Sequence, residues 1–377
     1  MGNAHVEHRD SELAGSQVDP GFRARRVTRP NPMLNWSPEQ QREIKEDFDA
    51  LLRELMREHK DPESRALDNQ YATTLDSKFR ADEAEGRRLI ERERSASSLV
   101  RGAFLLGRSR FAQFCLGHEV LHGSYATHEN PTFQGKNGWP MPLFIVDEQW
   151  QHGHNRFHHK APGVLGLDPE SAPTNQRVST DFYAEGFDRI GAPISAFVLT
   201  FHSLFMIGVV EAKKYVEIDP NAWRQLLTHN RELARYEFVT RPLRAGWRAP
   251  RVLAGNLLSF LVAELISGAL GRTTHIRDDA VCLHVDEFDP SDRAHFYINS
   301  LLNAGNVDYP FDRSYIGGFE KHIEHHLFPF LSSRKLEAAS ERVRALCEKH
   351  DLPYREGTLG KIIWQGLKLN AKLAFAA

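Results

Sequence analysis

Between Ser37 and Met56 the apolar residues Ile44, Phe48, Leu51, Leu52, Leu55 and Met56 recur at intervals of three and four, which puts one oily stripe on an α-helix. The word "SPEQ" predicts where that helix starts: Ser37 as N-cap, Pro38 in the first turn, Gln40 closing a capping box. "EAEGRRLIERERSASS" reads as a second helical piece whose charges form a solvated face, and the apolar "LVRGAFLLGRSRFAQFCLG" follows it. Residues 1–36 are polar with scattered Pro and Gly and are expected to lack order; 37–377 then form a single helical domain.

Two later stretches are nearly unbroken in their hydrophobicity. Ile190 to Val210 holds no formal charge, and Val252 to Gly271 holds only Glu264. Each is about 20 residues, or about 30 Å as a helix, long enough to cross a bilayer. Pro193 and His202 interrupt the first, and Glu264 in mid-bilayer would cost about 2.5–3.5 kcal/mol. The connection 211–251 carries nine Lys/Arg against five Asp/Glu, the wrong sign for a loop on the far side of a membrane from a cytoplasmic site. The pattern therefore predicts buried core helices in a cytoplasmic protein, at most peripheral to a membrane.

Composition adds exclusions. A net charge of -2 and a pI near 6.8 provide no basic field for nucleic acid. Cys115, Cys282 and Cys347 form no CxxC pair, which fits a reducing compartment and excludes a four-cysteine iron–sulfur cluster from this chain. The start "MGNAHVEHRD" lacks a signal-peptide apolar core, and Val6 stands where myristoylation needs Ser or Thr. Histidine is the outlier, at 19 residues.

Those histidines are clustered. "GHEVLHG" places His118 and His122 four apart, on one helical face. "HGHNRFHHK" repeats the spacing at His154 and His158 and adds His159; "HIEHH" sets His322, His325 and His326 at i, i+3, i+4. One zinc takes four ligands, whereas eight or nine imidazoles fit two metals with open positions. A rival reading takes "HEVLH" as the HExxH of a zinc peptidase, with Glu119 as base and His128 as third ligand. It leaves the other two clusters unexplained, and Tyr125 stands where the extended pattern has Gly.

HxxxH, HxxxHH and HxxHH in this order resemble the three histidine boxes of the membrane fatty-acid desaturase and hydroxylase superfamily. "HNRFHHKAPGVLGLDPE", "INSLLNAGNV" and "GGFEKHIEHHLFP" followed by "RVRALCEKHDLPY" are similar to that family's wording, from about residue 100 to 356. The resemblance implies a mainly α fold, a helical bundle whose histidine clusters converge from at least four helices on a dinuclear site. It implies two iron ions, O2 as co-substrate, and one further histidine between boxes two and three. His275 in "GRTTHIRDD" is favoured for that place and His284 in "VCLHVDEF" is the alternative; Asn306 is a weaker candidate. The metal set is thus His118, His122, His154, His158, His159, His275, His322, His325 and His326. His128, His152, His202 and His295 are expected bystanders. Charged sequence up to about residue 95 stands where the family has a membrane hairpin, and neither a cytochrome b5-like haem motif nor a GxGxxG loop is visible.

Neutral imidazoles leave two divalent ions uncompensated, so nearby carboxylates matter. Asp147, Glu148, Asp168, Glu170, Glu264 and Asp279 are available. Glu264 lies eleven residues before His275, three helical turns on the same face, and is a candidate to touch a ligand or a polar substrate. No residue offers itself as a dedicated nucleophile. The reading favours an O2-dependent di-iron oxidoreductase acting by hydroxylation, N-oxygenation or desaturation on a polar, amino-acid-like small molecule. Its electrons come from a separate ferredoxin- or flavin-type reductase. The alternatives are a lipid or acyl desaturase at a membrane surface, the zinc peptidase, and a non-catalytic metal-binding protein.

Overall fold

In the computed structural model, the structure describes residues 24–26, 30–136, 138–141, 144–170, 182–184, 203–275 and 277–375. Helix α1 spans Pro38–Lys60 and begins as its sequence dictates: Ser37 accepts from the Gln40 N–H, and the Gln40 side chain accepts from the Ser37 N–H at 2.8 Å. Met33 and Trp36, inside the segment expected to lack order, are buried in the core. Asp61 then ends α1 and caps α2, Pro62–Arg92, through the Ser64 N–H at 2.9 Å.

Helix α3, Ala96–Leu121, is capped by Ser95. The charged piece read as one helix is therefore cut: α2 stops at Arg92, and "SASS" starts the next helix, because serine side chains satisfy free amides better than they continue a helix. Its charges are not all solvated either, since Arg87 turns inward to Glu237. Helices α2 and α3 touch backbone to backbone at Gly86 and Gly102; a Cβ on either would lie 2.8 or 2.7 Å from the other's carbonyl oxygen.

Helix α4, Asp147–Gly153, runs into a π-turn at His154–His158. There follow α5 (Ser203–Tyr215), α6 (Ala222–Arg235), a π-turn at Tyr236–Thr240, α7 (Arg241–Arg244) and α8 (Ala249–Thr274). The chain closes with α9 (Arg293–Asn303), α10 (His322–Leu327), α11 (Ser333–Lys349) and α12 (Leu359–Phe375). The strands are short ties between loops. β1 (Ala24–Arg26) pairs antiparallel with β3 (Phe182–Ala184). β2 (Val164–Leu165) pairs parallel with β4 (Leu283–His284), and β5 (Asn306–Asp308) parallel with β6 (Glu356–Thr358).

Two large hydrophobic cores form among the described residues, beside a small third one of Ile90, Leu106 and Val252. Ile44, Phe48, Ile298, Ile323 and Leu327 join α1, α9 and α10 in one; Phe79, Phe114, Trp150 and Phe260 join α2, α3, α4 and α8 in the other. Histidines borne by α3 and α10 meet where the two adjoin. Among the described residues one stretch, Gly246–Leu270, is long and apolar enough to cross a membrane, and half of it is buried in the protein. Of the other expected apolar helix, 190–202, with Pro193 and His202, lies outside the described residues; the rest opens α5.

Candidate metal centre

Four elements bring nine imidazoles together. The end of α3 supplies His118 and His122, and the π-turn supplies His154, His158 and His159. The residue after α8 is His275, and α10 carries His322, His325 and His326. The rings fall into two groups. His118, His122, His154, His159 and His325 point nitrogens within 4.8 Å of one another. His118 Nε2 lies 2.8 Å from that of His154, 3.0 Å from that of His122 and 3.2 Å from that of His325. In the second group His275 Nε2 lies 2.7 Å from that of His322 and 3.0 Å from that of His326, with His158 alongside.

This partition departs from the helical reading of boxes two and three. The π-turn returns to the same side after five residues, so the His159 N–H bonds the His154 carbonyl at 2.9 Å, and these two rings share a group while His158 faces the other. In α10, His322 and His326 pair at 3.1 Å and His325 crosses over to the five-ring group.

The outward nitrogens are held by fixed acceptors. Asp168, buried, lies 3.0 Å from His158 Nδ1 and also accepts from the N–H groups of Gly163 and Glu170. Gly163 has φ +68, a left-handed turn that glycine permits, and this turn folds the loop back onto Asp168. His154 Nδ1 bonds the Glu170 carboxylate, and His275 Nδ1 meets Asn303 Oδ1 at 2.7 Å. A neutral imidazole has a single proton; with it on Nδ1, the Nε2 of His154 and of His275 is a bare lone pair facing other imidazole nitrogens, whereas His158, which burial alone would lower, is raised to about 9 by the charges of Asp168 and Glu170. Burial, reinforced by neighbouring rings, holds His118, His154, His159, His322 and His326 well below the ordinary histidine range, so they stay uncharged. Converging neutral lone pairs in a dry site repel unless a cation lies among them, so the donor set fits borderline transition ions that take imidazole. Trp150 stacks on His154 at 3.9 Å between centroids, and Phe319 stacks on His118 at 5.1 Å.

Behind Glu170 sits Glu211 of α5, fully buried, with no hydrogen-bond partner for either carboxyl oxygen. Burial, then the Glu170 charge, pushes the Glu211 carboxyl well up, so it carries the proton of the pair. Asn303 and Glu211 escaped the sequence reading: Asn303 sits inside the quoted "INSLLNAGNV" but was not singled out, and Glu211 falls in no motif.

Other candidates do different work. Glu264 accepts the Leu204 and Phe205 N–H groups at 2.9 and 3.4 Å, at the start of α5. Asn306 donates to Glu324 and Tyr354 and accepts the Ile323 N–H, fixing α10. His284 accepts the Asp286 N–H at a turn, away from both groups. Asp147 accepts the Trp139 N–H, and Asp279 pairs with Arg277. His128 bonds Thr73 and the Asn130 N–H, and His295 accepts the Asp289 N–H. Buried His152 packs against Phe157 and Tyr215. Glu119, the peptidase base, instead accepts from Tyr125 Oη at 2.5 Å and the Ser333 N–H at 2.9 Å.

Comparison with known proteins points the same way. The family described as fatty acid desaturase matches residues 96–358. The chain is 25% identical over 334 residues to the NADPH-dependent stearoyl-CoA 9-desaturase of Mycobacterium tuberculosis, covering 83% of this chain and 75% of that one. It is 24% identical over 290 residues to the Delta(8)-fatty-acid desaturase of Euglena gracilis, 67% of this chain and 62% of the other. With the sn-1 linoleoyl-lipid 6-desaturase of Synechocystis it shares 21% over 257 residues, 64% and 70% of the two chains.

Proposed function

This chain belongs to the fatty acid desaturase family, and from that premise we propose that it holds two iron ions and uses O2 to desaturate an acyl chain. Family membership makes it an oxidoreductase of the oxygen-dependent desaturase or oxygenase kind. The observation that carries the finer reading is the convergence of nine imidazoles into two groups. His118, His122, His154, His159 and His325 would hold one ion, and His158, His275, His322 and His326 the other. Bound iron would supply the one-electron steps that couple O2 reduction to removal of hydrogen from an unreactive C–H bond.

The protein's own residues orient and insulate. Asp168, Glu170 and Asn303 fix which nitrogen of their histidines is free; Trp150 and Phe319 wall the rings off from water. Removing two hydrogens while O2 becomes two waters takes two more electrons and two protons. A separate ferredoxin- or flavin-type reductase supplies the electrons; NADPH figures in the name of the mycobacterial relative. Three free, buried cysteines agree with a cytoplasmic setting.

An acyl substrate is supported by the relatives, which carry desaturase names for stearoyl-CoA, fatty-acid and acyl-lipid substrates. The polar small molecule favoured on sequence grounds is a second reading, supported by the charged α2 standing where the family has a membrane hairpin. Iron-loaded protein, a reductase, NADPH and O2 are incubated with stearoyl-CoA and, separately, with free amino acids. Loss of two hydrogens from the acyl chain, coupled to O2 uptake, is expected. One zinc per chain, or O2 uptake driven only by the amino acids, overturns the proposal.

A further inference from the structure

Helix α6 buries Ala222 and Leu226 on one side. Its other side presents Trp223 and Leu227, one turn apart and 42% and 67% exposed. Helical spacing puts Arg224, Arg231 and Arg235 on that same side. All three are exposed, and none forms an ion pair among the described residues. The face runs about 18 Å from Trp223 to Arg235 at 1.5 Å per residue. A solvated helix normally matches its cations with acids three or four residues away, as α2 does in Arg80–Asp76 and Arg87–Glu83. Arg224 and Arg231 have no acid at those positions on either side, and Arg231 meets the like charge of Arg235 four residues on. The acids just before α6 are engaged elsewhere: Glu217 pairs with Lys214 at 2.8 Å, and Asp219 accepts from the Asn221 N–H and from Gln225. Folding gains nothing from this unbalanced row, so its charge is available to a partner.

The buried side of α6 leads to the histidines. Fully buried Gln149 of α4 donates to the Ala222 carbonyl at 2.8 Å and to Gln225 at 3.1 Å. The next residue is Trp150, whose ring stacks on His154 at 3.9 Å and meets His118 edge-on at 5.7 Å. One hydrogen bond and one peptide link therefore join the first turn of α6 to an indole lying against the five-ring group. Electron transfer weakens steeply across open gaps, and bonded, packed links carry it better.

We propose that the exposed face of α6 docks a small acidic one-electron carrier of the ferredoxin type. The inference rests on the iron reading of the site and names where its separate donor binds. Carboxylates of the carrier meet Arg224, Arg231 and Arg235, while Trp223 and Leu227 form the dry centre. Weak redox encounters bury less than about 1,200 Å2, so one helix face is enough, and charges at the rim speed association. Each encounter passes one electron: the carrier is oxidised by one, the site is reduced by one, and no proton moves. Two encounters supply the two electrons of a cycle. Two apolar side chains among arginines make too narrow a strip to seat a helix in lipid. A second copy would set one arginine row near another.

The test pairs the iron-loaded protein with an acidic plant-type ferredoxin. Calorimetry reads binding of the oxidised carrier, and stopped-flow absorbance reads reduction of the site by the reduced one. Dithionite, which needs no docking, reduces the same site as a control. Arg224→Glu with Arg231→Glu should weaken binding about tenfold or more and slow reduction by ferredoxin to match. Iron content, melting temperature and reduction by dithionite should stay unchanged. Added salt should weaken binding by the natural protein and hardly alter the variant. Should the double variant fold poorly, Leu227→Ser probes the apolar centre and should also weaken binding. Equal ferredoxin binding by natural and variant proteins overturns the proposal. So does a variant that keeps ferredoxin but loses flotation with vesicles of equal parts phosphatidylcholine and phosphatidylglycerol, or loses a dimer. Arginine-dependent binding by a protein that takes up no iron would support the docking and remove the iron reading. Iron that dithionite reduces, in a protein that binds no ferredoxin, would remove the docking alone.

Discussion

Helix α3 carries two buried polar centres, and they end in opposite electrical states. Arg110 and His118 lie eight residues apart on it, about 12 Å. Around Arg110 the protein supplies both signs of charge: Glu237 lies 2.8 Å from Arg110 and 2.9 Å from Arg87, which also reaches Glu83 at 2.8 Å. That centre is complete without help from outside the chain. Around His118 the protein supplies lone pairs aimed at lone pairs, with carboxylates only on the outward nitrogens. Burial alone therefore does not mark function; an excess of one kind of donor, aimed at a common point, does.

The largest test removes a ring. His325→Ala takes a member from the five-ring group without emptying the other. Iron measured by mass spectrometry should fall toward one per chain, and turnover should drop by about a thousandfold or more, since a bound metal contributes several kcal/mol to such a reaction. The matching cut in the ionic centre is Glu237→Ala, which strands the Arg110 guanidinium and leaves Arg87 with Glu83 alone. Removing one side of a buried pair costs about 3–5 kcal/mol, read as a lower melting temperature with iron binding retained in the folded fraction. Replacing Arg87, Arg110 and Glu237 together by Met, Met and Leu should recover most of that loss. Were the triple replacement to strip iron, the two centres would not be independent.

Local signals of the site were legible in the sequence, and geometry that depends on distant partners was not. The α1 cap could be read because Ser37, Pro38 and Gln40 act within one turn. Eight of the nine histidines that converge stand out by their spacing, and His275, put forward on the family resemblance, lies with them while His284 lies apart. Their division was hidden, since a π-turn changes the period of box two and the packing of α10 decides which way His325 turns. Glu264 shows the same limit: its spacing from His275 is regular, but α5 claims its oxygens. Glu119 is held by Ser333, 214 residues away, which no short motif could announce.

Asp168 allows a finer cut between the centres. It fixes His158 Nδ1 without belonging to either ring group. Asp168→Asn should weaken iron retention about 10–100-fold, measured by competition with a chelator. Asp279→Asn, which alters a pair with Arg277 away from the rings, should leave retention unchanged. Equal losses from both would assign Asp168 a purely structural role.

Acid should separate the contributions most gently, in metal-free protein where only folding is read. Burial by itself would raise the Glu237 carboxyl; Arg110 and Arg87 more than reverse this and hold it below its ordinary 4.5. The unfolded chain therefore takes up the proton first. Stability from the ionic centre is complete above about pH 4.5 and drains as pH falls through the lower folded value. His59, outside both centres, acts in a higher window. Burial, then Lys335, pulls it from 6.5 down to about 4, so stability declines between those two values and levels off below them. That decline should amount to no more than about 3 kcal/mol. Melts from pH 8 to 3 should show a loss below pH 6.5, to which the buried rings of His118, His154, His159, His322 and His326 contribute beside His59, and a further loss below 4.5; His59→Leu should lessen the first and the triple replacement of the ionic centre the second. If the triple replacement instead erased the loss between pH 6.5 and 4, the acid response of this fold would belong to the ionic centre, and its self-sufficiency would hold only near neutrality.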